Sequence, residues 1–355
     1  MNPSNRLGLC YEAEAPKFRS LPHSIIDIHS HIHGELATPI YARAASLYSV
    51  GTTYTMTLLP DCPIVQRHLG DRIRFIATPN WTHSDFSLAF GKDYVAALPS
   101  YRSFGATIAK FWTAPRIFAA SSEPFASSPF RLTSPMRQET MKAALDLGMI
   151  FMAHVADPDT WFATKYQDSK RYGTKLEQYE VFEEALERFS VPWIAAHMGG
   201  YPEDLDFLSR LLTRHSNLYL DCSATKWIVR ELSKHPPEKT RDFFCRWKGR
   251  ILFGSDIVTS DAHVTAHASS TDMSSKASES LEAFDLYASR YWALRTLFET
   301  DYVGESPISD PDLHLVDPGR YTPHDAPPIR GINLPDDALH ALYFGAAQAL
   351  LPQRA

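Results

Sequence analysis

The chain predicts an α/β fold of the (β/α)8 TIM barrel type, with long loops at the C-terminal face of the strands. Three observations carry that prediction. Eight short apolar runs recur along the 355 residues, helical spacing fills the segments between the later runs, and polar residues gather at the ends of the runs. Short continuous apolar runs bounded by polar residues or glycine are the pattern of strands buried on both faces. A barrel of this kind takes about 250 residues plus insertions. No G-x-G-x-x-G follows the first run, so a doubly wound dinucleotide-binding sheet has no support.

The candidate strands are, in order, "HSIIDIHSH", "TTYTMTLLP", "RIRFIATPN", "FGATIAKFW", "LGMIFMAHV", "VPWIAAHMG", "NLYLDCSA" and "RILFGSDIV". Helical spacing over "SPMRQETMKAALDLG", "TKLEQYEVFEEALERFS" and "YPEDLDFLSRLLTRHS" leads into the fifth, sixth and seventh strands. Ser134 before Pro135, and Pro202 before Glu203 and Asp204, are helix-start signals. The tail "LPDDALHALYFGAAQALLP" reads as one closing amphipathic helix. Residues 113–135 and 261–280 read as loops after the fourth and eighth strands, at the barrel mouth where specificity loops belong. The second of these is a candidate lid. The Pro-rich stretch 306–331 reads as surface. The domain plan is an N-terminal extension over 1–23 and a single domain over 24–355.

With 44% hydrophobic and 21% charged residues, the chain has ample apolar material for a large core. A net charge of -6 without a dense Lys/Arg block argues against a nucleic-acid or polybasic membrane surface. Cys10, Cys62, Cys222 and Cys245 form no C-x-x-C pair and read as reduced thiols of a cytoplasmic protein. The N-terminus lacks a signal pattern, and no apolar run approaches the ~20 residues of a membrane helix. The partner expected is a small-molecule substrate; base rates add a homodimer.

Residues i and i+2 of a strand share a face, so His29 and His31 project together from the end of the first strand. Two neutral imidazoles aimed at one point are a natural bite for a divalent metal. An H-x-H alone is weak in a chain with 15 histidines. The fifth strand ends in His154, however, the sixth in His197 and the eighth in Asp256. Burying any of these unpaired is costly, and one shared metal accounts for all five; the competing reading satisfies each separately. Lys110, at the end of the fourth strand, is a sixth member. It can be carbamylated and bridge two metals, grip a substrate carboxylate as an ammonium, or snorkel to water. Asp27 shares the parity of His29, as a support for a ligand imidazole or as a carboxylate bonded to backbone; His33 lies beyond the strand and reads as loop. Trp112 and Arg116 follow Lys110, Trp161 follows His154, and Lys226, Trp227 and Arg230 follow the seventh strand. Arginine suits carboxylates and tryptophan suits aromatic groups, which together favour a small acidic or aromatic substrate. Ordinary packing competes for each of them.

The motifs "DIHSHIHG", "AHMGG" and "FGSD" resemble those of the amidohydrolase superfamily of metal-dependent (β/α)8 enzymes. They look most like the amidohydrolase-related branch, which includes the aminocarboxymuconate-semialdehyde decarboxylase-like enzymes. The resemblance runs from about residue 24 to about residue 350. It implies His29, His31, His154, His197 and Asp256 as metal ligands, with Lys110 optional and at variance with the decarboxylase-like members. It implies one or two divalent ions, Zn2+ first, with Mn2+ or Fe2+ as alternatives. Asp256 is then also the general base, and His197 a ligand or a donor that polarises the substrate carbonyl. The implied reaction is cleavage of an amide, ester or lactone by metal-activated water. Decarboxylation of a small aromatic or unsaturated acid on the same scaffold is the alternative, and a non-catalytic metal-binding barrel the third.

Overall fold

The first seven apolar runs expected to be strands are strands. In the computed structural model, which describes residues 2–265 and 277–351, they are β1 (Ile25–His31), β2 (Val50–Thr55), β3 (Ile73–Ala77), β4 (Ile108–Trp112), β5 (Ile150–His154), β6 (Trp193–Ala195) and β7 (Leu218–Asp221). The eighth run breaks into β8 (Ile251–Leu252) and β9 (Ile257–Val258). The break falls at Asp256, whose φ of 56° is incompatible with extended backbone. The fold class is α/β, a (β/α)8 barrel. The chain divides into two units, one of Met1–Thr55, Asp61–Arg74 and Cys222–Ala355, the other of Met56–Pro60 and Phe75–Asp221.

In the second unit β3 to β7 lie side by side in chain order, each pair parallel. One sheet face is aromatic. Phe111 meets Phe151 edge-on at 5.2 Å between ring centroids, Phe151 meets Trp193 at 4.9 Å, and Trp193 meets Phe182 of the Lys175–Arg188 helix at 5.7 Å. That face is packed against the helix. Strand alternation sends Lys110, Trp112, Met152 and His154 to the opposite face. The register supports this, pairing Lys110 with Met152 and Trp112 with His154. Helix starts follow the local chemistry. Ser134 caps Pro135–Asp146, and Thr174 with Glu177 forms a capping box for Lys175–Arg188. The helix expected from Pro202 begins instead at Leu205, because the Asp204 carboxylate accepts from the Phe207 N–H at 2.8 Å. Within 113–135 the chain makes 3-10 turns at Pro115–Ala120 and Phe125–Ser127.

In the first unit β1 lies between β2 and β9, parallel to both. The Ile28 N–H also donates to the Phe253 carbonyl at 2.9 Å. The Ser280–Glu299 helix is apolar or buried on nearly every side, so it presents no amphipathic stripe to betray it in the sequence. The N-terminal segment packs here as well: Tyr11 is buried, and Arg19 donates to the Glu299 side chain and to the Leu334 carbonyl. The stretch 306–331, expected at the surface, starts with the buried residues Ser306, Ile308, Ser309 and Asp310, carries a Pro311–Val316 helix, and pairs its β11 (Pro328–Arg330) antiparallel with the preceding β10 (Val303–Glu305). The tail is helical from Asp336 to Leu350 with a π-helical middle at Ala341–Gly345. The expected lid over 261–280 begins with a 3-10 turn at Asp261–His263, and its centre lies outside the described residues. All four cysteines are free. No described helix is long and apolar enough to cross a membrane.

The face assignment predicts unequal costs of truncation. Trp193→Ala should lower the unfolding free energy by about 3–5 kcal/mol. Trp112→Ala, on the other face and half-buried, should cost less than half of that. Urea unfolding of the two variants checks it; equal losses would contradict the assignment.

Candidate metal centre

Strand alternation puts His29 and His31 on one side of β1, with ring centroids 5.8 Å apart. The left-handed turn at Asp256 brings a carboxylate to them. The Asp256 N–H donates to the His29 carbonyl at 2.8 Å. Its Oδ1 lies 3.3 Å from His31 Nε2 and 3.6 Å from His29 Nε2. The three potential ligand atoms all lie within 4.8 Å of one another. Ligand atoms about 2.0–2.1 Å from a tetrahedral cation stand about 3.3 Å apart, so the spacing fits a divalent ion. His29 is buried, while His31 and Asp256 are half-buried. The group is therefore closed behind His29 and open beside the other two.

Neighbours hold these ligands in place. Ser223 Oγ lies 3.0 Å from His29 Nδ1. A tautomer with the proton on Nδ1 donates to that hydroxyl and leaves Nε2 for a cation. Gly254 leaves room for the ring: a Cβ there would stand 2.9 Å from the His29 Cβ and 3.1 Å from the Ser223 Cβ. Asp27 bonds to backbone and hydroxyls. It accepts from the His29 N–H at 3.2 Å, the Ser255 N–H at 3.0 Å, the Ser255 hydroxyl at 2.6 Å and the Tyr291 hydroxyl at 2.9 Å. Burial pushes its carboxyl up to about 6, against the pull of those hydrogen bonds. His33 is held by Asp61 at 2.9 Å.

The second unit gathers its own polar group. His154 Nε2 lies 3.0 Å from Asp157 Oδ1, and the His154 and His197 rings meet edge-on at 4.4 Å. The His197 N–H donates to Asp221 Oδ1 at 2.9 Å. Lys110 is buried on the face it shares with Trp112 and His154. Left-handed backbone recurs just beyond strand ends, at His197 (φ 58°), Ala224 (φ 65°) and Asp256 (φ 56°). Strained non-glycine residues of this kind concentrate at functional sites.

The residues expected against a substrate fall in different settings. Trp112 and Trp161 are half-buried, the latter with the Lys165 ammonium 3.8 Å above its ring. Arg116 is exposed and Trp227 buried. Arg230 is buried and engaged with acids, donating to Glu231 at 2.6 Å and to Asp310. Sequence reading passed over Asp157, Asp221, Ser223, Ser255 and Tyr291. Asp221 ends an apolar run just as His154 does, so the same rule finds it; Tyr291 has no such signal.

Parallel α/β strands bearing imidazoles and carboxylates at their C-terminal ends define the class of (β/α)8 barrel enzymes. Residues 122–353 match the amidohydrolase family model, and the chain belongs to that family. It is an enzyme of the amidohydrolase superfamily. Three solved structures illustrate what it is similar to. An Agrobacterium tumefaciens protein in apo form is 10% identical, with 94% of this chain and 98% of that one covered and a TM-score of 0.48. A candidate 2-pyrone-4,6-dicarboxylic acid hydrolase of Acinetobacter baumannii with citric acid bound is 11% identical, covering 82% and 98% at a TM-score of 0.42. The manganese complex of 5-carboxyvanillate decarboxylase from Novosphingobium aromaticivorans is 9% identical, covering 93% and 96% at 0.44. No curated protein matches the chain.

Removing the Asp27 carboxylate strands four donors in the interior. Asp27→Ala should therefore lower the unfolding free energy by about 3 kcal/mol or more, and Asp27→Asn, which keeps one acceptor oxygen, by less. Guanidinium unfolding measures both. A wild-type midpoint for Asp27→Ala would refute the role given to this residue.

Proposed function

We propose that the chain is a metal-dependent hydrolase that cleaves an amide, ester or lactone bond in a small acidic or aromatic substrate. The observation that carries this reading is the close grouping of His29 Nε2, His31 Nε2 and Asp256 Oδ1. A divalent cation held there, zinc by donor chemistry, supplies Lewis acidity and an ionisable water near neutral pH. His29 is oriented by Ser223 and sealed from solvent, so it positions rather than exchanges. Asp256 is both ligand and general base: Oδ1 faces the imidazoles, and Oδ2 takes the proton of the attacking water and passes it to the leaving group. The half-buried sides of His31 and Asp256 face the incoming substrate. On the strength of their positions at the end of β5 and just beyond β6, His154 and His197 are proposed as further ligands or carbonyl-polarising groups. Lys110 is proposed as a metal- or substrate-facing side chain. The partner is a small molecule, and the compartment proposed is the cytoplasm.

The test is a panel of lactones, amides and aromatic acids offered to the metal-loaded protein, with acid and carbon dioxide both detected. Acid release that needs water supports hydrolysis. Carbon dioxide without water-dependent cleavage replaces the reading with a decarboxylase. Metal content by mass spectrometry should be at least one divalent ion per chain and should fall in His31→Ala and Asp256→Asn. Full activity in His31→Ala would remove the site from consideration.

A finer prediction concerns the support of His29. Ser223→Ala should weaken metal affinity about 10–100-fold while leaving the melting temperature of the metal-free protein unchanged. Competition with a chromogenic chelator reads the affinity.

A further inference from the structure

The turn after β5 fixes one imidazole from several sides. His154 ends the strand, and its carbonyl accepts twice from Thr113, from the N–H at 3.0 Å and from the hydroxyl at 2.9 Å. Three residues on, Asp157 turns its carboxylate back onto the ring, with Oδ1 3.0 Å from His154 Nε2. The carboxylate is buried and the imidazole half-buried. The His197 ring closes a further side, edge-on at 4.4 Å. The His154 ring makes no other hydrogen bond among the described residues.

The backbone between the two residues is braced as well. Gly200, the last residue of "AHMGG", has a φ of 85°. A Cβ there would stand 2.7 Å from the Ala156 carbonyl oxygen and 2.9 Å from the Ala156 nitrogen. Glycine alone combines that conformation with so close an approach. Pro158 restricts the backbone of Asp157 before it, and the Pro158 carbonyl accepts from the Trp161 N–H at 2.8 Å. Asp157 is therefore held in place by its surroundings and not by the pair alone.

An ionised carboxylate can only accept, so a neutral His154 bonded to it carries its proton on Nε2 and its lone pair on Nδ1. His29 is arranged the other way, with Nδ1 against the Ser223 hydroxyl and Nε2 left for a cation. A ring nitrogen with a lone pair can bind a cation; it cannot donate to a substrate carbonyl. We propose that Asp157 is a positioning residue that sets the tautomer of His154 and makes Nδ1 its functional atom. His154 is then a metal ligand through Nδ1 and not a carbonyl-polarising donor. This rests on the hydrolase reading and separates the two roles open to His154 within it.

Long-range nitrogen–proton correlation spectra of the metal-free, isotope-labelled protein read the tautomer at about pH 8, where an unperturbed imidazole is neutral. His154→Gln identifies the signals by their loss. Wild type should show a protonated Nε2 and a bare Nδ1, and Asp157→Ala should show both tautomers in exchange. A proton on Nδ1 in wild type, alone or together with one on Nε2, overturns the assignment without any variant having to fold. An unaltered tautomer in Asp157→Ala overturns it too. Zinc affinity supplies the second readout. Asp157→Ala should weaken zinc binding about 10–100-fold, and by less than about twofold when His154 is already glutamine. An equal loss in both backgrounds makes Asp157 merely structural and sinks the proposal. A chain that takes up no zinc removes the hydrolase reading and with it the ligand role, whatever the tautomer.

Discussion

One buried carboxylate organises the first unit. Asp27 is fully enclosed and pairs with no cation among the described residues; four neutral donors stabilise it. Those donors come from three places: β1 itself, the turn after β8 and the long Ser280–Glu299 helix. Two residues past Asp27 stands His29, and one residue past Ser255 stands Asp256. A single acceptor therefore fixes the relative placement of two proposed ligands before any ion is present. The cost is visible in the carboxyl, which burial drives up to about 6, and the four hydrogen bonds offset part of it. The Tyr291 hydroxyl extends the network to Tyr41 at 2.9 Å and from there to Thr53 at 2.8 Å, so β2 is tied in as well.

The broken eighth run follows from the same constraint. An unbroken strand would alternate Ser255, Asp256 and Ile257 between faces and pair evenly with β1. Here the Asp256 N–H reaches the His29 carbonyl, the Thr259 N–H reaches the His31 carbonyl, and β9 pairs in register with Ser30 and His31. Pairing is kept on both sides of one left-handed residue, which aims the Asp256 side chain at the imidazoles. A left-handed aspartate is disfavoured without being forbidden, because its short polar side chain tolerates the conformation. Gly254 answers the other half of the demand by letting the backbone approach His29, where a Cβ would collide.

What could be read in advance was what is local. Apolar runs of strand length, the two-residue period of His29 and His31, and a polar residue at the end of each run are visible within a few positions. They located the strands and the grouping of His29 and His31 with Asp256. What escaped is what depends on distance or on absent contrast. Asp27 meets Ser255 across 228 residues and Tyr291 across 264, so no window of sequence reveals the network. Arg230 finds Asp310 80 residues away, and read locally it looked available to a substrate. The Ser280–Glu299 helix hides because burial on nearly all sides erases the periodicity by which helices are recognised. The break at Asp256 hides because a positive φ at aspartate leaves no compositional mark.

The short segment from Ser223 to Thr225 braces two sides of the proposed metal centre. Its first residue sets the orientation of a proposed ligand, and its third is bonded beside the proposed general base. Between them Ala224 sits at a φ of 65°, a conformation that costs an L-residue of this kind on the order of 1 kcal/mol or more. That strain turns the chain out of β7 and directly into a helix, which is what allows Ser223 and Thr225 to bond to two different strand ends. A relaxed, extended residue at 224 would carry Thr225 away from Ser255. The backbone strain and the bracing of the proposed ligands are therefore one feature: the turn that starts the helix lets a single short segment reach both His29 and the residue before Asp256.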